Sequence, residues 1–198
     1  MKYIIGLLMV VGLVGCGENS EVVQSSLNPQ IVTQEIQRTN LKCEVYDLQG
    51  LGFNSLPDFD TIQAVKKGTL YVDQLDVVQT NNTVAFSKFV GTSYESIVEY
   101  FGLRCTAILS VPEDGTYLLR VNSDDGFKLA IDGTTVISYI NARSFARTSA
   151  NKYLTKGDHP IKIEYFQSSG NKGLFFSWKV PSQPVETLVS ANNFKVGL

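Results

Sequence analysis

Apolar and polar residues alternate over much of the chain, and the alternation cuts it into short strands. "LKCEVYDL", residues 41–48, alternates in this way, the period of a strand with one buried face. "GTYLLRVNS" puts Tyr117, Leu119 and Val121 on one face, with Leu118, Arg120 and Asn122 on the other. "FKLAIDG" sends Phe127, Leu129 and Ile131 inward. Asp132-Gly133 then predicts a tight hairpin, because glycine accepts positive φ, with "TTVISYI" as the returning strand. Further on, "LTKGDHPIKIEYF" places a Gly-Asp turn before a strand carrying Ile161, Ile163 and Tyr165 on one face. "GLFFSWKVP" alternates Leu174, Phe176 and Trp178 and stops at Pro181. Helical spacing is confined to the short runs Ser93–Phe101 and Ile31–Ile36, the latter reading equally as a segment laid against the domain. No repeat of fixed period occurs, which argues against a propeller or solenoid. Short antiparallel strands separated by turn residues predict an all-β sandwich or barrel.

Composition narrows the function classes. With 198 residues and 43% hydrophobic content the chain can build one core plus extensions. Seventeen Lys and Arg against nineteen Asp and Glu leave no basic excess of the kind a nucleic-acid partner needs, so none is expected. Enzyme motifs are also missing: HExxH, GxSxG, a Cys-His arrangement and a Gly-rich phosphate loop do not occur. The single histidine, His159, precedes Pro160 in a turn and reads as structural or solvated. A non-enzymatic role is expected.

The N-terminus reads as a targeting segment. Lys2 is followed by an apolar run from Tyr3 to Val14, short of the ~20 residues a membrane span needs. Leu13-Val14-Gly15-Cys16 resembles the bacterial lipobox, whose cysteine is lipidated and becomes the mature N-terminus. The other reading is an ordinary secretory signal with an incidental cysteine. An acyl anchor gains about 0.8 kcal/mol per buried methylene. Gly17 stands where an inner-membrane retention aspartate would stand, so the outer membrane of a bacterial envelope is the favoured location. Residues 17–40 are mostly polar and read as a flexible tether, spanning roughly 25–30 Å on average. The expected division is a signal over residues 1–15, lipidated Cys16 and tether over 16–40, a β domain over 41–182 and a C-terminal extension over 183–198. Once Cys16 is set apart, Cys43 and Cys105 form an even pair in an exported chain, for which a disulfide is the default and two buried thiols the alternative.

The chemistry concentrates at "NSDDG", residues 122–126, where two like charges sit side by side between strands. "PEDGTYLLRVNSDDGFKLAIDGTTVI", followed by "LTKGDHPIKIEYFQSSGNKGLFFSW", resembles the protective antigen (PA14) domain family in the order and spacing of its motifs. These are the G-x-Y strand, S-D-D-G, the I-D-G hairpin, I-x-I-E-Y and the terminal L-x-x-x-W. The resemblance covers about Leu41 to Val180 and is weakest between Gly50 and Glu99. It implies a β-sandwich or barrel. In the lectin members of the family, paired aspartates joined by a cis peptide hold a calcium ion that binds vicinal sugar hydroxyls, while other members keep the aspartates for structural reasons. The matching residues are Asp124 and Asp125. By the same resemblance, oxygens from a second loop, "QSSGNKG", would complete the shell, with Gln167 and Asn171 as candidates and Gln167 the better placed. Calcium takes 6–8 oxygen ligands, and two carboxylates give it compact negative charge. A polysaccharide or other glycan is then the expected partner. The competing reading is a solvated Asp-Asp-Gly turn, in which glycine supplies the conformation. Tyr139, Phe145 and Tyr153 are candidate sugar platforms, and Arg143 and Arg147 candidate hydroxyl or acid contacts. Each also reads as an ordinary core or loop residue.

Overall fold

The computed structural model describes residues 41–80, 97–195 and 197. The signal, Cys16, the tether and residues 93–96 of the Ser93–Phe101 run lie outside the described residues.

Among the described residues, twelve strands form two antiparallel sheets, which is the all-β architecture the alternation predicts. The larger sheet contains β1 (Leu41–Asp47), β2 (Lys66–Val72), β4 (Phe101–Val111), β6 (Phe127–Ile131), β7 (Thr134–Tyr139) and β9 (Gly157–Gln167) in the order β2-β1-β4-β9-β6-β7. The short β12 (Phe194–Lys195) pairs with the far end of β4. The smaller sheet runs β11 (Thr187–Leu188), β10 (Lys172–Lys179), β5 (Gly115–Asp124), β8 (Ala146–Leu154), with β3 (Asp76–Thr80) also on β10. Residues of the 183–198 extension therefore contribute to both sheets, and its Val189 and Phe194 are fully buried.

The period-2 pattern explains the packing. Tyr117, Leu119, Val121, Leu174, Phe176 and Trp178 line the inner face of the smaller sheet, and Leu103, Leu129, Ile131, Ile161, Ile163 and Tyr165 that of the larger; all are buried in one core cluster. Burying each such side chain contributes on the order of 1.5–3 kcal/mol. Tyr117 and Trp178 meet with ring centroids 5.2 Å apart. The hairpin forms as expected: Asp132 (φ 52°) and Gly133 (φ 75°) both take the left-handed conformation of a two-residue turn between β6 and β7.

Cys43 and Cys105 are opposite one another in the β1–β4 register and form a disulfide, so the pair is cross-linked rather than two thiols.

A second, smaller apolar cluster lies on the outer side of the larger sheet. Tyr46, Leu48, Phe59 and Phe166 build it, and Phe53, Leu56, Ile62 and Val65 of the β1–β2 connection pack against it. This connection runs beside the β7–β8 loop: Leu56 N–H donates to Ile140 O (2.6 Å) and Ala142 N–H to Asn54 O (3.1 Å).

One segment departs from expectation. The alternation predicts no strand over residues 146–154, yet they form the nine-residue β8, paired with β5 from Gly115↔Leu154 to Ser123↔Ala146. Only Leu154 of this strand is buried. The ladder, not an apolar face, holds it in place, so hydrophobic alternation carries no signal for it.

Candidate functional site at the aspartate corner

The "NSDDG" stretch is not a hairpin turn. β5 belongs to the smaller sheet and runs through Asp124, and β6 begins at Phe127 in the larger. Asp125 and Gly126 alone carry the chain across, and the Asp124–Asp125 peptide is cis. Gly126 is required for space rather than for a left-handed φ. A Cβ there would lie 2.5 Å from the Phe166 ring and 2.9 Å from the carbonyl oxygens of Tyr139 and Asn141.

Both aspartates are buried, each with 5% exposure. Asp125 ties two loops together: its Oδ1 accepts the Arg143 backbone N–H (2.9 Å) and its Oδ2 the Ser168 N–H (2.8 Å). Burial pushes its carboxyl above the ordinary value, outweighing the two amides that pull it down. Ser123 Oγ donates to Asp125 O (2.6 Å) and accepts from Arg143 Nη2 (2.8 Å).

Arg143 is more than a solvated loop charge. Its Nη1 donates to Thr148 Oγ1 (2.8 Å), and its guanidinium lies 4.4 Å from the Tyr139 ring centroid and 5.5 Å from that of Phe127. Burial lowers its pKa, while the Tyr139 hydroxyl and Asp124 carboxylate oppose that shift. Its Nε is buried with no hydrogen-bond partner among the described residues. An arginine cation thus sits permanently beside the buried acidic pair.

The second loop is anchored from beneath. Tyr165 Oη lies 2.5 Å from Asp124 O and 2.8 Å from Gln167 Oε1 and donates towards both, and burial raises its phenol well above the usual range. Gln167 is fully buried, and its Nε2 donates to Asn171 O (2.8 Å). Gly173 stands opposite Asp124 in the β5–β10 register, so the 167–173 loop lies beside the pair. Segment 97–100 buttresses it: Tyr100 N–H donates to Ser168 O (2.7 Å), Gly170 N–H to Glu99 Oε1 (2.9 Å) and the buried Lys172 Nζ to Val98 O (2.7 Å). Val98, Tyr100, Tyr139 and Ile140 leave apolar surface exposed on these neighbouring segments.

Asp124, Asp125, Gln167 and the Asn171 backbone are thus brought into one network. The exposed Arg147 lies opposite Asn122 at the same end of β5. Tyr153, opposite Thr116, stands eight residues along β5 from Asp124, about 27 Å at the rise of a strand, and is not part of the site. His159 is structural: it lies in β9 with Nδ1 2.8 Å from Asp132 Oδ2 and Nε2 2.9 Å from Thr155 O. Ser123 and Ser168 escape sequence reading because a serine hydroxyl or amide beside an acid is too common to signal a site.

The donor set suits a hard cation in part. Two adjacent buried carboxylates supply concentrated negative charge, and each Asp125 oxygen keeps a lone pair beyond its amide bond. No group of three His, Cys, Asp or Glu occurs among the described residues, so the remaining ligands would be neutral oxygens. Gln167 Oε1 already receives the Tyr165 hydroxyl but retains acceptor capacity.

Solved structures share this fold. The PA14 domain of MpAFP antifreeze protein is 18% identical, with a TM-score of 0.67 over 80% of this chain and 90% of that one. The PA14 sugar-binding domain from an RTX adhesin is 20% identical, with a TM-score of 0.64 over 80% and 98%. The Epithelial Adhesin 6 A domain from Candida glabrata, in complex with Galβ1-3GlcNAc, is 11% identical, with a TM-score of 0.61 over 81% and 88%. At these identities the likeness establishes the fold. No curated protein matches the chain. The family model of the PA14 domain matches residues 63–190, and the chain belongs to that family.

Proposed function

We propose that this protein binds carbohydrate through a calcium ion held by Asp124 and Asp125, on a domain tethered to the bacterial envelope by lipidated Cys16. The observation that carries the reading is the burial of two adjacent carboxylates at the crossing between the sheets. Buried like charges oppose folding unless a cation offsets them, and Asp125 already sits above its ordinary pKa. The loop of residues 167–171 would supply further oxygens, with Gln167 and Asn171 in reach of the network. Bound calcium would offer open positions to vicinal hydroxyls. The sugar-binding neighbours on the same fold support this reading. No catalytic role is assigned, and the outer membrane is the favoured location. Calorimetric titration of calcium, then a glycan array with and without chelator, tests the proposal. A chain indifferent to calcium, with glycan binding unaffected by chelator, would end it.

A second reading is favoured by the Arg143 contacts. Here the guanidinium beside Asp124 and the two amides on Asp125 make the pair a fastener for the loops, and the domain serves as a structural or protein-docking module. In that case Asp125→Ala lowers stability equally with and without calcium.

A further inference from the structure

Among the described residues, the outer face of the larger sheet is covered only in part. The β1–β2 connection closes one part: Asp60 Oδ1 meets Arg104 Nη1 (2.7 Å), and the Arg104 guanidinium lies 5.5 Å from the Phe59 ring centroid. Beyond this, among the described residues, the face forms a groove of about 630 Å³. Its floor is a cross-strand row, Ala130–Lys162–Thr106–Lys42, running over β6, β9, β4 and β1. Ile108 and Pro160, paired in the β4–β9 register, form the next row, and Lys128 flanks the groove.

The charge here is unbalanced. Glu164, with 3% exposure, is the one buried carboxylate on this face among the described residues, and three cations share it: Arg104 Nε at 3.2 Å, Lys128 Nζ at 2.6 Å and Lys162 Nζ at 3.7 Å. Lys42 has no ion-pair partner among the described residues. Glu44 and Asp158 on the same face are paired with Lys66 and Lys195, so four cations remain facing Glu164 and Asp60, on a chain whose net charge is −2. One intervening strand separates Lys42 from Lys162, which sets their backbones about 10 Å apart.

We propose that this groove binds a carboxylate-bearing saccharide chain, independently of calcium and of the aspartate corner. Three lysines present separated point charges, which suit single carboxylates spaced along a polymer better than the forked contacts phosphate draws from arginine. The shallow apolar floor of Ala130, Ile108 and Pro160 fits the C–H face of a pyranose, and the Thr106 hydroxyl supplies a hydrogen bond. No aromatic ring lines the groove among the described residues, so it lacks the stacking platform of a single-stranded nucleic-acid site.

The test uses the full-length protein in detergent with EGTA throughout. Tetragalacturonate, its neutral methyl ester, inorganic phosphate and vesicles containing anionic phospholipid are titrated by calorimetry. Tetragalacturonate is expected to bind and to weaken as salt rises from about 0.05 to 0.5 M. Lys42→Gln with Lys162→Gln should raise its Kd about five- to tenfold, while Lys179→Gln on the other sheet leaves it unchanged. Circular dichroism of the double variant confirms that it is folded. Absence of binding, equal affinity for the ester, tighter binding of phosphate or vesicles, or indifference to the double substitution would each overturn the proposal. Because EGTA is present, failure here is separate from failure of the calcium reading.

Discussion

The Cys43–Cys105 bridge allows the most quantitative prediction. It joins residues 62 apart in sequence, directly opposite on adjacent strands. In the chain-entropy account, closing a loop of that length restrains the unfolded chain by about 4 kcal/mol at 25 °C. Breaking the bridge removes no atoms from the core, and the two thiols stay buried as small apolar groups. The whole loss therefore falls on the unfolded side. For a chain of this size it corresponds to roughly 10–15 °C in Tm. The comparison uses the full chain carrying Cys16→Ser, so that only this pair is oxidised or reduced. Both residues are inaccessible in the native state, so reduction is done in denaturant and the reduced protein refolded under reductant. Urea curves for the two forms should differ in midpoint by an amount equivalent to about 4 kcal/mol. A difference below about 1 kcal/mol, or two free thiols alkylated in the natively isolated protein, would refute the reasoning.

Further predictions follow from the corner and the hairpin. Gly126→Ala should cost about 1–3 kcal/mol or more by urea denaturation, because its Cβ meets the Phe166 ring and two carbonyls; wild-type stability would contradict the spatial role given to this glycine. Arg143→Met removes two side-chain hydrogen bonds and should cost about 1–3 kcal/mol, yet tighten calcium binding by taking a positive charge from beside Asp124. Unchanged or weaker calcium affinity would show that this charge is not felt at the site. His159 is partly desolvated, which lowers its pKa, but the Asp132 carboxylate and the Thr155 carbonyl hold it above its ordinary value. Its contribution is then full below about pH 6.5 and fades as pH rises through the folded-state value. His159→Asn should flatten that part of the stability profile, and an equally sloped profile in the variant would reject the assignment.

Strands with one buried face were legible because a buried stripe every second residue leaves a pattern. Tyr117–Leu119–Val121 and Ile161–Ile163–Tyr165 are of this kind, and the I-D-G hairpin announced its turn chemistry. β8 was not legible, since its polar edge strand is fixed by a backbone ladder. Nor was the covering of Tyr46 and Phe166 by the β1–β2 connection, a contact between distant segments with no local period. At the site, the two aspartates stood out as an electrostatic anomaly. What the sequence could not convey is how fully their surroundings are occupied. Gln167 and Asn171 spend contacts on each other, and Arg143 brings its own charge to the pair.

Asp125 decides between an ion site and a fastener. Its raised carboxyl pKa means that, without calcium, its burial weighs against folding above that value, and the stability it retains at lower pH is lost as pH rises through it. The most direct measurement is thermal unfolding of the wild-type protein and Asp124→Asn across pH 4–7, with calcium and with EGTA. Calcium should raise the wild-type Tm at pH 7, with the gain shrinking towards pH 4 as the carboxyls protonate, and should do little for the variant. Equal Tm values for the wild-type protein in calcium and EGTA at pH 7 would contradict the account.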